Sequence, residues 1–120
     1  MAHFSRPREL KPNERALLEF LLTADFPGRN ELREQVGRVQ VLWDCDCGCG
    51  TINLMVTNPV VRAVAREPIP IEARGANVDV LLFVRDGLLS SLEIVDHGDG
   101  RPLAFPSPST LELWAPPNLK

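Results

Sequence analysis

A chain of 120 residues has the size of one domain, and its 44% hydrophobic residues suffice for a core without disulfides or a structural metal. The formal net charge of −3 argues against nucleic-acid binding, which requires a basic surface. The opening residues, MAHFSRPREL, lack the apolar stretch of a signal peptide, and no apolar run is long enough to cross a bilayer, so no membrane partner is expected.

The N-terminal third of the chain predicts a short arm and two helices. Residues 1–11 are locally basic without an apolar pattern, so we expect a flexible, solvated arm. A helix is predicted from about Pro12, with Asn13 as a candidate cap. Its buried stripe follows from three- and four-residue spacing and contains Leu17, Leu18, Leu21 and Leu22. The stretch RNELREQVGR predicts a second helix, capped by Asn30 and ended by Gly37.

From residue 39 onward the apolar period changes from that of a helix to two residues, which is typical of strands. The alternating apolar positions are Val39, Val41 and Trp43 in a first strand and Ile52, Leu54 and Val56 in a second. Leu42 is the exception to the alternation. Gly48 and Gly50 lie between the two runs, so the pair is predicted to be a hairpin.

The next segment, NPVVRAVAREP, could form a short edge strand, because its prolines discourage pairing inside a sheet. The strongest β signal follows it, in two apolar runs on either side of Asp86-Gly87, the preferred two-residue hairpin turn. A regular register across this turn pairs Val84 with Leu89, Leu82 with Ser91, and Leu81 with Leu92.

Both faces of this second hairpin carry apolar residues. One face has Val78, Val80, Leu82 and Val84, and the other has Leu81, Phe83, Leu88, Leu92 and Ile94. The leading helix can cover only one of them. The other must meet the C-terminal segment (Leu111, Leu113 and Trp114), another part of the sheet, or a second subunit.

The pattern predicts a single α+β domain over residues 1–120. One or two N-terminal helices should pack on an antiparallel sheet of about four or five strands, because no helical pattern separates the later strands. Residues 1–11 are expected to be the arm, and residues 97–120 a proline-rich loop followed by a C-terminal segment.

All three cysteines, Cys45, Cys47 and Cys49, stand at alternate positions in DCDCGCG. An odd number cannot all pair within one chain, which favours a reducing cytoplasm and free or metal-bound thiols. Zinc or copper could bind all three if the strand curls at its glycines, with His97 as fourth ligand or an acid such as Asp44, Asp46 or Asp96 in its place. The spacing is not that of a redox pair. The simpler interpretation is that Cys45 and Cys47 continue the apolar face of the strand as small buried side chains.

The chain resembles small uncharacterised bacterial proteins, especially from actinobacteria. The resemblance is carried by CDCGCGTINL, by LLFVRDGLLSSLEIVDHGD with the RPLAFPSPSTLELW after it, and by ERALLEFLL and ELREQV near the N-terminus. The N-terminal part is similar to a domain of unknown function that is sometimes linked to toxin-immunity loci. The resemblance spans most of the chain and implies a compact cytoplasmic α+β domain with a partner-binding role. It implies no catalytic residue.

No convincing catalytic set stands out in the sequence. A Cys–His pair using His97 is conceivable, with Asp96 or Asp99 to orient the imidazole, but DHGDG is more typical of a polar turn after a strand. The first hypothesis is therefore a non-enzymatic, cytoplasmic, partner-binding protein without a cofactor, either an immunity-type inhibitor or a self-associating homodimer. The alternative is a zinc- or copper-binding domain that uses Cys45, Cys47, Cys49 and His97.

Overall fold

The structure, a computed structural model, describes residues 7–44, 51–57, 60–97 and 106–114. Within these ranges it contains two helices, six strands and two short 3-10 turns. The helices are α1 (Pro12–Leu21) and α2 (Arg29–Gln35), and the strands are β1 (Val39–Asp44), β2 (Ile52–Val56), β3 (Ile71–Arg74), β4 (Val78–Arg85), β5 (Leu88–Asp96) and β6 (Glu112–Trp114). The 3-10 turns span Val36–Arg38 and Pro108–Thr110.

The strands form one antiparallel sheet in the order β1-β2-β5-β4-β3-β6. Both helices pack on one face of it, since their buried leucines share a single core cluster with the inward side chains of the strands. The predicted α+β class, with N-terminal helices on an antiparallel sheet, is confirmed, although the sheet has six strands rather than four or five. Within the described ranges, neither helix is long and apolar enough to cross a membrane.

Helix α1 buries the predicted leucine stripe, but its start differs from the prediction. The residue before the first turn is Lys11, and Pro12 occupies the first turn. The backbone N–H of Lys11 donates to Glu14 Oε1 at 2.8 Å, while the side chain of Asn13 accepts from the Glu14 N–H at 3.0 Å. Glu14 therefore closes the start of the helix, as the acid of a capping box does.

Part of the predicted arm is attached to the sheet. Arg8 and Val41 exchange two backbone hydrogen bonds, at 3.0 and 2.7 Å, which occupy part of the outer edge of β1. The guanidinium of Arg8 also binds both carboxylate oxygens of Glu14, at 2.9 and 3.0 Å, and Leu10 packs against the core. The expectation of a loose arm is therefore wrong for residues 8–10. Residues 1–6 lie outside the described ranges.

Helix α2 is preceded by Gly28 rather than by the predicted cap Asn30. Gly28 has a φ of +88°, a left-handed backbone conformation that residues other than glycine rarely adopt. The helix ends at Gln35, and the chain continues as a 3-10 turn through Arg38. Leu32 lies in the core together with Val36 and Val39, which follow the helix.

The β4–β5 hairpin contains a bulge, so its register differs from the predicted one beyond the turn. The Asp86-Gly87 turn is confirmed, with φ of +54° and +76° at its two residues. Val84 pairs with Leu89 as predicted, but Phe83 pairs with Ser91 and Leu82 with Leu92, so Ser90 is an extra residue. The bulge moves Leu92 and Ile94 from the predicted second face to the buried one. Of the predicted second face, Leu81, Phe83 and Leu88 remain outside the core cluster.

A second bulge lies in β1 at Leu42, the residue that does not fit the sequence alternation. Val41 pairs with Leu54 and Trp43 with Asn53, which leaves Leu42 extra and 38% exposed. The odd-numbered alternation on which the buried-cysteine interpretation rests is therefore broken before Cys45. The cysteines themselves lie in residues 45–50, outside the described ranges.

The prediction of an edge strand in NPVVRAVAREP is wrong for the residues of this segment that the structure describes. Residues 60–67 form no strand and run past α2 and the β4–β5 turn. The strand next to β4 is instead β3, which begins after Pro70. In the predicted C-terminal loop, residues 108–110 form a 3-10 turn, and β6 then pairs with β3 at the edge of the sheet.

Candidate functional site

We call the face of the sheet that points away from both helices the outer face. Successive side chains of a strand point to opposite faces of the sheet, so the outer face consists of the strand residues that alternate with the buried ones. Its described side chains on the four strands β6, β3, β4 and β5 are Glu112, Trp114, Glu72, Arg74, Asp79, Leu81, Phe83, Arg85, Leu88, Ser91, Glu93 and Val95. Asn53 and Met55 of β2 extend this face beyond Ser91.

Apolar side chains occupy the centre of the outer face. Leu81 and Phe83 of β4 are neither buried in the core cluster nor fully exposed, and the same holds for Val95 of β5. Trp114 of the edge strand is 39% exposed. In an antiparallel sheet with one solvated face, polar residues normally occupy such positions. The outer face is therefore more apolar at its centre than solvation alone requires.

Acidic side chains surround this apolar centre. Leu81 lies between Glu72 and Glu93 in the cross-strand register, so two carboxylates flank it directly. Across the face, four carboxylates (Glu72, Asp79, Glu93 and Glu112) stand against two arginines (Arg74 and Arg85). The excess of acid gives the outer face a negative character.

One arginine of the outer face is fixed by two neighbours. The Nε of Arg74 donates to Glu72 Oε1 at 2.8 Å, and its guanidinium carbon lies 4.1 Å from the ring centroid of Trp114. The contact is a cation–π interaction, which orients the indole and the guanidinium together. Trp114 therefore packs against Arg74 at an exposed edge of the sheet.

His97, the predicted fourth metal ligand, lies just beyond β5. Its Nε2 forms a 2.8 Å hydrogen bond with Asp79 Oδ2 of β4, a partner that the sequence did not indicate. Ile52 at the start of β2 pairs with Leu92, and β5 continues past Leu92 toward His97. Strand β1 ends beside the start of β2 and leads into residues 45–50. His97 therefore lies at this same end of the sheet. Cys45, Cys47 and Cys49 lie outside the described ranges. Among the described residues, no group of three His, Cys, Asp or Glu side chains could hold a metal ion.

A buried glutamine in α2 joins three parts of the chain. Gln35 is fully buried, and its Nε2 donates to the carbonyl oxygens of Val61 and Gly87, at 3.0 and 2.9 Å. Its Oε1 accepts from the Leu89 N–H at 3.0 Å. One sequence signal points to this role, because Gln35 lies three residues after Leu32 on the same helical stripe.

Glu14 is the one described titratable group with a clearly altered pKa. Burial alone would raise the pKa of this carboxyl, but the hydrogen bonds from Arg8 and from the Lys11 backbone, with the positive charges of both residues, lower it overall. The group lies in the structural contact between residues 8–11 and α1, so the shift marks a stabilising ion pair rather than a reactive acid.

Comparison of the chain with protein-family models, with curated proteins and with solved structures finds no match. The candidate site is therefore defined by the geometry of this chain alone.

Proposed function

We propose that the chain is a non-enzymatic protein-binding domain and that its partner docks on the outer face. The observation that carries the proposal is the apolar centre formed by Leu81 and Phe83 on the face that both helices leave open. Apolar groups gathered on an otherwise polar surface are characteristic of binding sites. Trp114, which packs against Arg74, supplies an aromatic side chain of the kind that dominates binding energies.

The charges of the outer face favour a basic partner. Glu72 and Glu93 flank Leu81, so a surface with apolar groups between lysines or arginines would match it. Two outer faces docked on one another would bring like charges together, which opposes self-association through this surface. The proposed partner is therefore a different protein with a basic and apolar surface.

The dimensions of the sheet are compatible with such an interface. The eight residues of β4 extend over about 26 Å, and six strands spaced about 4.8 Å apart extend over about 24 Å. Since β3 and β6 have only four and three residues, the area is at most about 600 Å², which lies at the small end of specific protein interfaces, where a standard one buries roughly 800 Å² per partner.

Paired variants test the proposal. Leu81→Lys and Phe83→Lys place a charge in the apolar centre, whereas the control Ala16→Lys makes a comparable change on the exposed side of α1. A partner isolated with the wild-type protein and then purified should bind Ala16→Lys normally and bind both outer-face variants at least tenfold more weakly. Circular dichroism melts check that all variants are folded. Equal binding by all four proteins, or failure to recover any partner that distinguishes them, contradicts the proposal.

The resemblance to proteins linked to toxin-immunity loci supports one form of this proposal, an immunity-type inhibitor. A toxin encoded beside this gene would be the partner to test first. The product of such a gene should be inhibited by the wild-type chain and by Ala16→Lys, and should escape inhibition by Leu81→Lys.

The second candidate function is metal binding by Cys45, Cys47, Cys49 and His97. One observation favours it, namely that β5 carries His97 to the end of the sheet where β1 leads into residues 45–50. Soft thiolate ligands would select zinc or copper(I). Elemental analysis of protein purified without a histidine tag provides the test. Close to one zinc or copper per chain, lost in Cys47→Ser, supports the site, and a content well below one ion per chain removes it.

A further inference from the structure

We infer that the chain forms a two-fold dimer through a second surface, which we call the valine surface. It consists of Val60, Val61 and Val64 with Arg62 and Arg66 on one segment, and of Glu31 and Glu34 on α2. It shares no residue with the outer face, so the inference goes beyond the proposed function.

The most exposed large apolar side chains in the described ranges lie on this surface. Val61 is 69% exposed and Val64 is 88% exposed, whereas Ala63 between them is buried. Single exposed valines are ordinary, but here two of them project from one short segment beside a groove. The buried Ala63 shows that the backbone of the segment lies against the protein while the valines point away from it.

Hydrogen bonds fix this segment to the rest of the molecule. The side chain of Gln35 holds the Val61 carbonyl, and the Ala63 N–H donates to the Gly87 carbonyl at 2.9 Å. The Nη1 of Arg62 donates to the carbonyl oxygen of Asp86 at 2.8 Å. A segment held in this way loses little conformational entropy on binding, which is the advantage of a preorganised docking surface.

Two glycines with positive φ allow the segment to lie this close. A Cβ atom at Gly87 would come within 2.6 Å of the Ala63 carbonyl oxygen, and one at Gly28 within 2.9 Å of the Ala65 Cβ. The segment therefore lies directly against backbone at two places, with Ala63 at the β4–β5 turn and Ala65 at Gly28 before α2. The exposure of the valines is a property of a fixed segment.

Beside the segment lies a groove of about 470 Å³, lined by Glu31, Glu34, Arg38, Val60 and Val61. Its volume is sufficient to accept aliphatic side chains, and α2 supplies two carboxylates to it. The valine surface thus combines a projecting apolar pair with a receptive groove.

The charge pattern points to a second copy as the occupant. The projecting segment carries Arg62 and Arg66, while the groove carries two carboxylates, Glu31 and Glu34, against one arginine, Arg38. A two-fold axis uses the same patch twice, so the valines and arginines of one copy can meet the groove and carboxylates of the other. A basic foreign peptide would match the carboxylates but would leave both arginines without acidic partners.

Analytical ultracentrifugation of the untagged full-length chain tests this inference. Between about 1 µM and about 1 mM, the weight-average mass should rise from 13.3 kDa toward twice that value. Val61→Ser combined with Val64→Ser should weaken the association at least tenfold. The control Leu42→Ser removes another partly exposed aliphatic side chain and should associate like the wild-type protein.

A charge exchange tests the proposed contacts. Glu34→Arg and Arg66→Glu should each weaken dimerisation, and the two changes combined in one chain should restore it, because each copy then offers the opposite signs. Leu81→Lys should dimerise normally, so failure of the dimer is distinguishable from failure of the outer face. A constant mass of 13.3 kDa over the whole range, or a dimer that the valine and charge changes do not affect, overturns the inference.

Discussion

Replacing Gln35 with leucine tests how the segment that carries Val61 is held. The change keeps the approximate size of the side chain but removes all three of its hydrogen bonds. The Leu89 N–H then has no acceptor in the buried interior, because Leu89 itself is only 2% exposed. The Gly87 carbonyl keeps its bond from the Ala63 N–H, and the Val61 carbonyl lies on an exposed residue where water can replace the amide.

The expected loss follows from this count of unsatisfied groups. One buried N–H without a partner costs about 1–3 kcal/mol, and the lost bond to the Val61 carbonyl adds about 1 kcal/mol. Gln35→Leu should therefore lower the free energy of unfolding by about 2–4 kcal/mol, a large part of the roughly 5–15 kcal/mol typical of a domain.

A second variant, Gln35→Glu, tests the directions of the hydrogen bonds that Gln35 makes. Its carboxylate can still accept from the Leu89 N–H, but its second oxygen faces the Val61 and Gly87 carbonyls, where only a donor is tolerated. Burial therefore raises the folded-state pKa of the introduced carboxyl above its unfolded value. The variant should approach wild-type stability at low pH and lose stability as the pH rises through that folded-state pKa.

Urea unfolding followed by circular dichroism at several pH values measures both variants. A loss below about 0.5 kcal/mol for Gln35→Leu would refute the reasoning, since that is the range of ordinary surface substitutions. A stability difference between wild type and Gln35→Glu that does not change with pH would refute the assigned hydrogen-bond directions.

Two further changes test the elements around the candidate surfaces. Gly87→Ala should destabilise the protein by at least about 2 kcal/mol, because φ is +76° and the new Cβ would lie 2.6 Å from the Ala63 carbonyl oxygen. Thermal unfolding measures this loss of stability. A melting curve identical to that of the wild-type protein would contradict the prediction. Glu14→Gln should cost about 1–2 kcal/mol at neutral pH. The lowered pKa of Glu14 contributes stability above its unfolded-state pKa, and this is lost as the pH falls through the folded-state pKa, so the variant should show a weaker acid dependence than wild type. Parallel acid unfolding curves for the two proteins contradict that role.

The sequence predicts the parts of the fold that depend on local periodicity. The leucine stripe of α1 and the Asp86-Gly87 turn each depend on a few neighbouring residues, and both are present in the structure. The α+β class follows from the order of these elements along the chain, so the sequence was sufficient to predict it.

Features that depend on partners distant in the chain were not predictable. The bulges at Leu42 and Ser90 change the register by one residue, and a one-residue change exchanges the two faces of a strand. For this reason Leu92 and Ile94 are buried beneath the helices, although regular alternation assigns them to the opposite face.

The outer face was predictable in kind but not in position, whereas the valine surface was not predicted. An apolar second face on the β4–β5 hairpin was expected, and Leu81 and Phe83 occupy it, but its acidic border depends on which strands lie next to β4. The valine surface was missed because its residues were interpreted as an edge strand. Their role depends on Gln35, which lies 26 residues before Val61 in the chain.

The most direct test of the proposed function is a methyl NMR titration of the labelled chain with its purified partner. Leu81 and Val95 lie on the outer face, whereas Leu82 and Val80 lie beneath the helices and serve as internal references. We predict that the methyl signals of Leu81 and Val95 shift on binding, while those of Leu82 and Val80 change little. Shifts confined to α1, α2 or residues 60–66, with Leu81 and Val95 unchanged, would contradict a binding site on the outer face.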